Sequence, residues 1–419
     1  MINLSEIIVS KSEKLKGKVK ISGSKNAALP IIAASIAVSG KTKLKNIPDL
    51  SDVNSMIDIL KSLGCDIERC GNELEIVSDK INNLISPYEM VIKLRASFLV
   101  SGAMLARFGY ARISQPGGCA IGARPVDLHL KGFALMGATI NKGDGYIELS
   151  AKRLNGASIY LDFPSVGATE NLLVAACLAQ GQTEIINAAT EPEVADLARF
   201  LVSCGADIHG IGTEHIVIKG INELNSCEYS IIPDRIEAGT YMIASAITGG
   251  EILVENILTE HLTSVTAKLK EMGIGIIEGQ NNILVTTSGD ILPVDIKTMP
   301  HPGFPTDMQS LFSSLMCYAN GTSIITETIF ENRFMHMAEL SRMHASIRID
   351  GRSAVIKGGT ILDGAEVNAT DLRAGAALVL AGLSAKGTTK ILNAQLIDRG
   401  YEHFTHKLQN LGANVEYVK

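Results

Sequence analysis

Glycine punctuates this chain at a regular interval. Gly40, Gly109, Gly181, Gly250, Gly321 and Gly387 each follow a small-residue apolar run and precede a β-like segment, the pattern of a helix, its C-terminal cap and a strand. A second set, Gly64, Gly137, Gly205, Gly273 and Gly412, follows about two dozen residues later and closes amphipathic stretches such as Val53 to Leu63 or Leu262 to Met272. His344 stands in the glycine's place in the fifth copy. The period of roughly 70 residues is too long for a solenoid unit, so each copy is read as a compact β-α-β-α-β-β module. Short alternating segments close most modules: Leu74-Glu75-Ile76, Tyr146-Ile147-Glu148, His215-Ile216-Val217, Asn282-Ile283-Leu284 and Ala354-Val355-Ile356.

The sixth module reaches Lys419 one strand short. Glu6-Ile7-Ile8-Val9-Ser10 resembles the closing strands of the other modules, so the N-terminus is expected to complete the last one. That makes one domain discontinuous, residues 1–19 with 231–419, and leaves 20–230 as the other, each holding three modules. The interior can be large, because 46% of the 419 residues are hydrophobic. A net charge of −6 argues against nucleic acid as the main partner, since a phosphate backbone calls for a basic face. No apolar run approaches the ~20 residues of a membrane span, and Met1 to Glu6 lacks the marks of a secretion signal, so a cytoplasmic protein is expected. Seven cysteines without a C-x-x-C pair indicate neither a disulfide framework nor a zinc site, and neither metal nor cofactor is expected.

Module two breaks the spacing, with about four extra residues between Gly109 and Gly137. They fall on Pro116-Gly117-Gly118-Cys119-Ala120-Ile121-Gly122-Ala123-Arg124-Pro125. A thiolate is the reactive form of cysteine, a neighbouring cation such as Arg124 favours it, and glycines let backbone amides approach an anion. The sequence offers either a reactive thiol in a phosphate- or carboxylate-binding loop or a surface loop that contains a cysteine, and the inserted length favours the first.

Cations recur where first helices begin: Lys25 in Ser24-Lys25-Asn26, Arg95 in Leu94-Arg95-Ala96-Ser97 and Arg373 in Asp371-Leu372-Arg373. A positive charge at a helix N-terminus opposes the macrodipole unless an anionic ligand lies between them. Solvated end residues are the alternative for Lys25 and Arg373. Asp307, in Pro305-Thr306-Asp307, reads either as an ordinary cap or as a base that removes a hydroxyl proton. Arg399 occupies the strand-to-helix loop that corresponds to the Cys119 loop.

Taken together these segments resemble the enolpyruvyl transferases, in particular the branch whose acceptor is UDP-N-acetylglucosamine. The likeness covers essentially the whole chain and rests on Ser22 to Ala28, Leu94 to Ser97, Pro116 to Leu128, Ser165 to Thr169, Pro300 to Gln309, Phe330 to His336, Ala369 to Arg373 and Arg399 to Glu402. It implies a pair of inside-out α/β barrels, three repeats each. It also implies transfer of the enolpyruvyl group of phosphoenolpyruvate to a sugar 3-hydroxyl by addition and elimination through a tetrahedral ketal, as the first committed step of peptidoglycan synthesis. On matching positions, Cys119 resembles a general acid toward the methylene carbon that can also form a covalent adduct. Lys25, Arg124 and Arg399, with Arg95 and Arg373 nearby, resemble the phosphate and carboxylate cations, and Asp307 the group proposed to deprotonate the hydroxyl. Asn26 and Ile329 resemble sugar contacts. Pro125, Val126, Asp127 and Leu128, with Ser165, Val166 and Gly167, resemble a uridine-diphosphate pocket, and a fosfomycin-type epoxide is expected to alkylate Cys119. Phe163 departs from family members that carry Lys there. Rival readings are a transferase acting on shikimate 3-phosphate, an antibiotic-pathway transferase with another nucleotide acceptor, and a catalytically silent nucleotide-sugar binder. The Gly-Gly-Cys loop counts against the first, and retention of Asp307 and the cations against the last.

Overall fold

In the computed structural model, which describes residues 5–86, 95–114, 126–143 and 145–418, strands and helices alternate throughout and form a mixed α/β fold. They build five four-stranded sheets and one of three strands. The third module shows the plan. Strand Ser158–Tyr160 leads through helix Val166–Cys177 to the parallel strand Gln182–Ile186, the helical crossover that parallel strands require. Helix Pro192–Ser203 then precedes the antiparallel hairpin of Asp207–His209 and His215–Lys219, which adds to the other edge. Among the described residues no sheet closes on itself, and the six sheets remain separate.

Two compact units divide the chain, one formed by residues up to Ser22 together with Pro233 onward, the other by Gly23 through Ile232. In the first unit, strand Glu6–Ser10 lies between Thr388–Leu392 and Val415–Val418 and pairs antiparallel with both, so it supplies the strand that the sixth module lacks. The next strand, Lys16–Lys20, opens the fourth module by pairing parallel with Glu251–Glu255. Pairing runs past Val19 to Lys20, and Ile21 N still donates to Glu255 O, which carries the boundary a few residues beyond the one read from sequence. In the second unit, Cys227–Ser230 pairs parallel with Lys41–Lys45 and completes the first module from the far end of that unit, a closure that sequence reading missed.

Each unit buries the first helix of every module. Lys25–Ala34, Val100–Phe108 and Val166–Cys177 pack on one another in one unit; Arg235–Thr248, Gln309–Cys317 and Leu372–Gly382 do so in the other. Their alanines and glycines permit close approach: a Cβ on Gly102 would lie 2.4 Å from Asn171 O on the neighbouring helix. The second helices are amphipathic, as in Ser51–Leu63, whose buried Val53, Met56, Ile57, Leu60 and Leu63 recur at helical spacing.

One residue repeats where the second strand of a module ends. Asn46, Asn187, Asn256 and Asn393 adopt φ of 58 to 61°, the left-handed region that asparagine tolerates. Their side-chain amides donate to Ile231 O, Leu161 O, Ile21 O and Asn368 Oδ1, tying that turn to the end of the parallel partner strand. In the fifth module Glu327 takes the position; in the second it is Gln115, outside the described residues. His344, the substitute for glycine, also has positive φ, 67°, and its Nδ1 lies 2.7 Å from Asp363 Oδ2.

Candidate functional site

A cluster of polar side chains in the first unit surrounds Asp307. This residue lies in the short 3-10 turn Thr306–Met308, which has no side-chain cap, so the capping alternative does not hold. Its carboxylate instead accepts from Arg333 Nη2 at 2.6 Å through Oδ1 and from Arg373 Nη2 at 3.5 Å through Oδ2. Arg333 also donates through Nη1 to Thr306 Oγ1 at 2.9 Å, and that hydroxyl donates to Glu327 Oε2 at 2.8 Å. Glu327, 1% exposed, accepts at Oε1 from Thr298 Oγ1, Ile329 N and Phe330 N. Its carboxylate thus fixes both the loop carrying Ile329 and the turn carrying Asp307.

Arg373 enters from the start of helix Leu372–Gly382, where Asp371 caps by accepting from Arg373 N and Ala374 N. It is 1% exposed, which rules out a solvated end residue. Its guanidinium lies over the Tyr401 ring at 5.0 Å, a cation–π arrangement. Burial opposes the charge, but Tyr401, Asp307 and Asp234 outweigh it and hold the guanidinium above its ordinary pKa. Among the described residues Nε and Nη1 are buried without a hydrogen-bond partner, an arrangement that costs free energy unless other groups, such as an anion's oxygens, satisfy them. The loop carrying Arg399 runs beside it: a Cβ on Gly400 would lie 3.6 Å from Arg373 Nη1. Arg399 itself ends the 3-10 helix Ala394–Arg399 and is half-buried.

In the second unit, Lys25 begins helix Lys25–Ala34, whose first turn holds no acidic residue. It too is buried, at 8% exposure, and its Nζ lies 3.3 Å from Asp52 Oδ2. The neighbouring Ser24 hydroxyl is buried without a partner among the described residues, and Asn26 is half-buried beside it. The helix also packs against the 3-10 turn Arg95–Leu99. The N-terminal amides of a helix favour an anion.

A second polar group of this unit links two helix starts. Asp127 begins helix Asp127–Leu135, with Val126 before it and Leu128 after; its carboxylate lies 3.7 Å from Lys142 Nζ. Ser165 caps helix Val166–Cys177, accepting from Ala168 N at 3.4 Å. His129 joins them, because a Cβ on Gly167 would lie 3.4 Å from its ring. Asn171 Nδ2 donates to His129 Nδ1 at 3.0 Å while Asn171 Oδ1 accepts from Gly102 N, which fixes the amide's orientation and leaves the imidazole proton on Nε2. Phe98 meets the ring edge-on at 5.1 Å, and burial pushes the histidine down to about 4, so it is neutral. Phe163, the departure from the family pattern, is 47% exposed.

The structure therefore joins Asp307, Arg373 and the Ile329 and Arg399 loops in one unit, and Val126 to Leu128 with Ser165 to Gly167 in the other. Cys119, Arg124 and Pro125 lie outside the described residues, as does the side chain of Arg95. Sequence reading gave no role to Arg333, Glu327 or His129. The signal for Glu327 was available: an acid stands where sister modules carry Asn. Among the described residues no group of three or more His, Cys, Asp or Glu is placed to hold a metal ion, and no helix is long and apolar enough to cross a membrane.

Comparison with known proteins gives consistent matches. Residues 9–408 match the family model described as EPSP synthase (3-phosphoshikimate 1-carboxyvinyltransferase). UDP-N-acetylglucosamine 1-carboxyvinyltransferase 2 of Carboxydothermus hydrogenoformans is 54% identical over 99% of this chain and 100% of its own. UDP-N-acetylglucosamine 1-carboxyvinyltransferase 1 of Caldanaerobacter subterraneus subsp. tengcongensis is 56% identical over 98% and 99%. Among solved structures, the enolpyruvyl transferase NikO from Streptomyces tendae superposes with a TM-score of 0.91 at 25% identity, covering 99% of both chains. An EPSP synthase from Acinetobacter baumannii gives 0.77 at 20% identity, covering 99% of this chain and 100% of that one, a likeness of fold.

Proposed function

This chain belongs to the enolpyruvyl transferase family, and from that premise we propose that it moves the enolpyruvyl group of phosphoenolpyruvate to the 3-hydroxyl of UDP-N-acetylglucosamine and releases phosphate, the first committed step of peptidoglycan synthesis. The observation that carries the choice of acceptor is identity above half, over nearly full length, to relatives named for UDP-N-acetylglucosamine. The family plan of two inside-out barrels is our reading of the two units, supported by their buried first helices.

Chemistry assigns the roles. Asp307, whose carboxylate accepts from Arg333 at Oδ1 and from Arg373 at Oδ2, takes the proton of the sugar hydroxyl as it attacks C2 of phosphoenolpyruvate. Cys119 protonates C3, or holds the enolpyruvyl unit as an adduct. The anionic ketal that results is stabilised by Lys25, Arg124 and Arg399, with Arg95 and Arg373 nearby; preorganised cations in a water-poor site stabilise developing charge strongly. Loss of a C3 proton then expels phosphate. Asn26 and Ile329 contact the sugar, and Pro125 to Leu128 with Ser165 to Gly167 receive the nucleotide. The same reading sets the reaction in the cytoplasm and makes Cys119 the target of a fosfomycin-type epoxide.

Solvent isotope tests this sequence of bond changes. In deuterium oxide, product formed from unlabelled phosphoenolpyruvate is expected to carry deuterium in its vinyl methylene, because C3 passes through a methyl group. Product free of deuterium would overturn addition and elimination.

A further inference from the structure

Two of the cysteines meet, although their spacing in the chain gives no hint of it. Cys204 caps the C-terminal end of helix Pro192–Ser203, Cys227 opens strand Cys227–Ser230, and their Sγ atoms are 2.8 Å apart. A covalent bond would bring them to about 2.05 Å, so they stand as thiols already within reach of each other. The approach is built from both sides. Asn225 N donates to Cys204 O at 2.8 Å. Tyr229 Oη donates to Asp196 Oδ1 at 2.6 Å, Ile232 N donates to Asp196 Oδ2, and Phe200 packs edge-on against Tyr229 at 5.7 Å. Strand and helix are therefore docked around the pair whatever its oxidation state.

The two sulfurs differ in access and in acidity. Cys204 is 1% exposed, whereas Cys227 is only half-buried, so a small oxidant reaches Cys227 first. Either sulfur can donate the hydrogen bond between them; a bond donated by Cys204 lowers the pKa of Cys227 against the opposing effect of burial, which favours its thiolate. Burial pushes Cys65, Cys177 and Cys317 up to about 12, where they are poor nucleophiles.

We propose that Cys204 and Cys227 form a reversible thiol–disulfide modification site, closed by a two-electron oxidant of the peroxide class and reopened by a dithiol. The Cys227 thiolate attacks one peroxide oxygen, the O–O bond breaks, and the departing hydroxide takes up a proton as water. Cys227 is then a sulfenic acid, oxidised as the peroxide is reduced. The Cys204 sulfur attacks the Cys227 sulfur, the S–O bond breaks, and hydroxide leaves with the Cys204 proton as a second water. The resulting S–S bond staples the helix end to the strand that completes the first sheet.

Peptide mapping of the full chain tests this. The protein is treated with hydrogen peroxide near neutral pH, remaining thiols are blocked with iodoacetamide, and a digest made without reductant is read by mass spectrometry. The expected result is a peptide pair joined through Cys204 and Cys227, two hydrogens lighter than its parts and separated by dithiothreitol. In Cys204→Ser, Cys227 is expected to be trapped by dimedone as the sulfenic acid, and the pH midpoint of its alkylation to rise toward the free-thiol value of ~8.5. Carbamidomethylated Cys227 in the peroxide-treated wild-type chain, or Cys227 joined to another cysteine, would overturn the proposal. So would an alkylation midpoint unmoved by Cys204→Ser. The wild-type map decides the matter even if the variant fails to fold.

Discussion

Asp307 shows how a single residue's surroundings settle what its type leaves open. From sequence it is either a cap or a base, and its position after Pro305 favours the cap. The structure removes the cap and supplies two guanidiniums, one at hydrogen-bond distance and one at 3.5 Å. Lys25 and Arg373 change in the same way: both are buried, and two of the Arg373 nitrogens have no hydrogen-bond partner among the described residues. Asp307→Asn keeps the shape of the side chain and removes its capacity to take a proton. It is expected to lower turnover by roughly 10²-fold or more while nucleotide-sugar binding stays within a few fold, measured by steady-state rates and calorimetric titration. Turnover within about twofold of wild type would show that another group accepts the proton.

At the scale of elements, the sequence displayed its repeats clearly because glycine caps and alternating strands leave local marks. Helix Ser51–Leu63 ends on Gly64 at φ 108°, as read, whereas helix Arg235–Thr248 ends on Gly249 at 66°, one residue before the Gly250 read from the sequence. Pairings between distant segments leave fainter ones. Strand Glu6–Ser10 was legible through its likeness to other closing strands, whereas Cys227–Ser230 offers no such likeness and its partnership with Lys41–Lys45 went unread. The asparagine turns were equally visible as letters, but their meaning depends on a carbonyl contributed from another part of the chain. One helix start carries a prediction. Glu237, in the first turn of Arg235–Thr248, is 2% exposed, accepts from Lys407 Nζ at 2.6 Å and from Ser22 N at 2.8 Å, and is pushed up to about 7 by burial, which Lys407 only partly offsets. Its folded pKa exceeds the ordinary 4.5, so the native state binds the extra proton between those values. Stability from this group is full below pH 4.5 and is lost as pH rises through about 7. Relative to Glu237→Gln, the wild-type chain is expected to lose on the order of 3 kcal/mol over that window in urea unfolding. A difference between the two that does not vary with pH would contradict this.

For the whole molecule, what the chain folds into and what it does were legible to different depths. Six modules follow from punctuation, and their grouping into two units follows from one strand displaced to the N-terminus. The separateness of the six sheets was not legible, since sheet closure depends on edge pairings that no local pattern encodes. The family model that spans residues 9–408 carries the description of a shikimate-phosphate enzyme, while the full-length relatives above half identity carry the nucleotide-sugar name. Acceptor choice is therefore the central claim. It is tested most directly by phosphate release from phosphoenolpyruvate with purified protein, given UDP-N-acetylglucosamine or shikimate 3-phosphate in parallel. Release that depends on the nucleotide sugar, with shikimate 3-phosphate at the level of no acceptor, is the predicted result; release with shikimate 3-phosphate, or none with either, would contradict it.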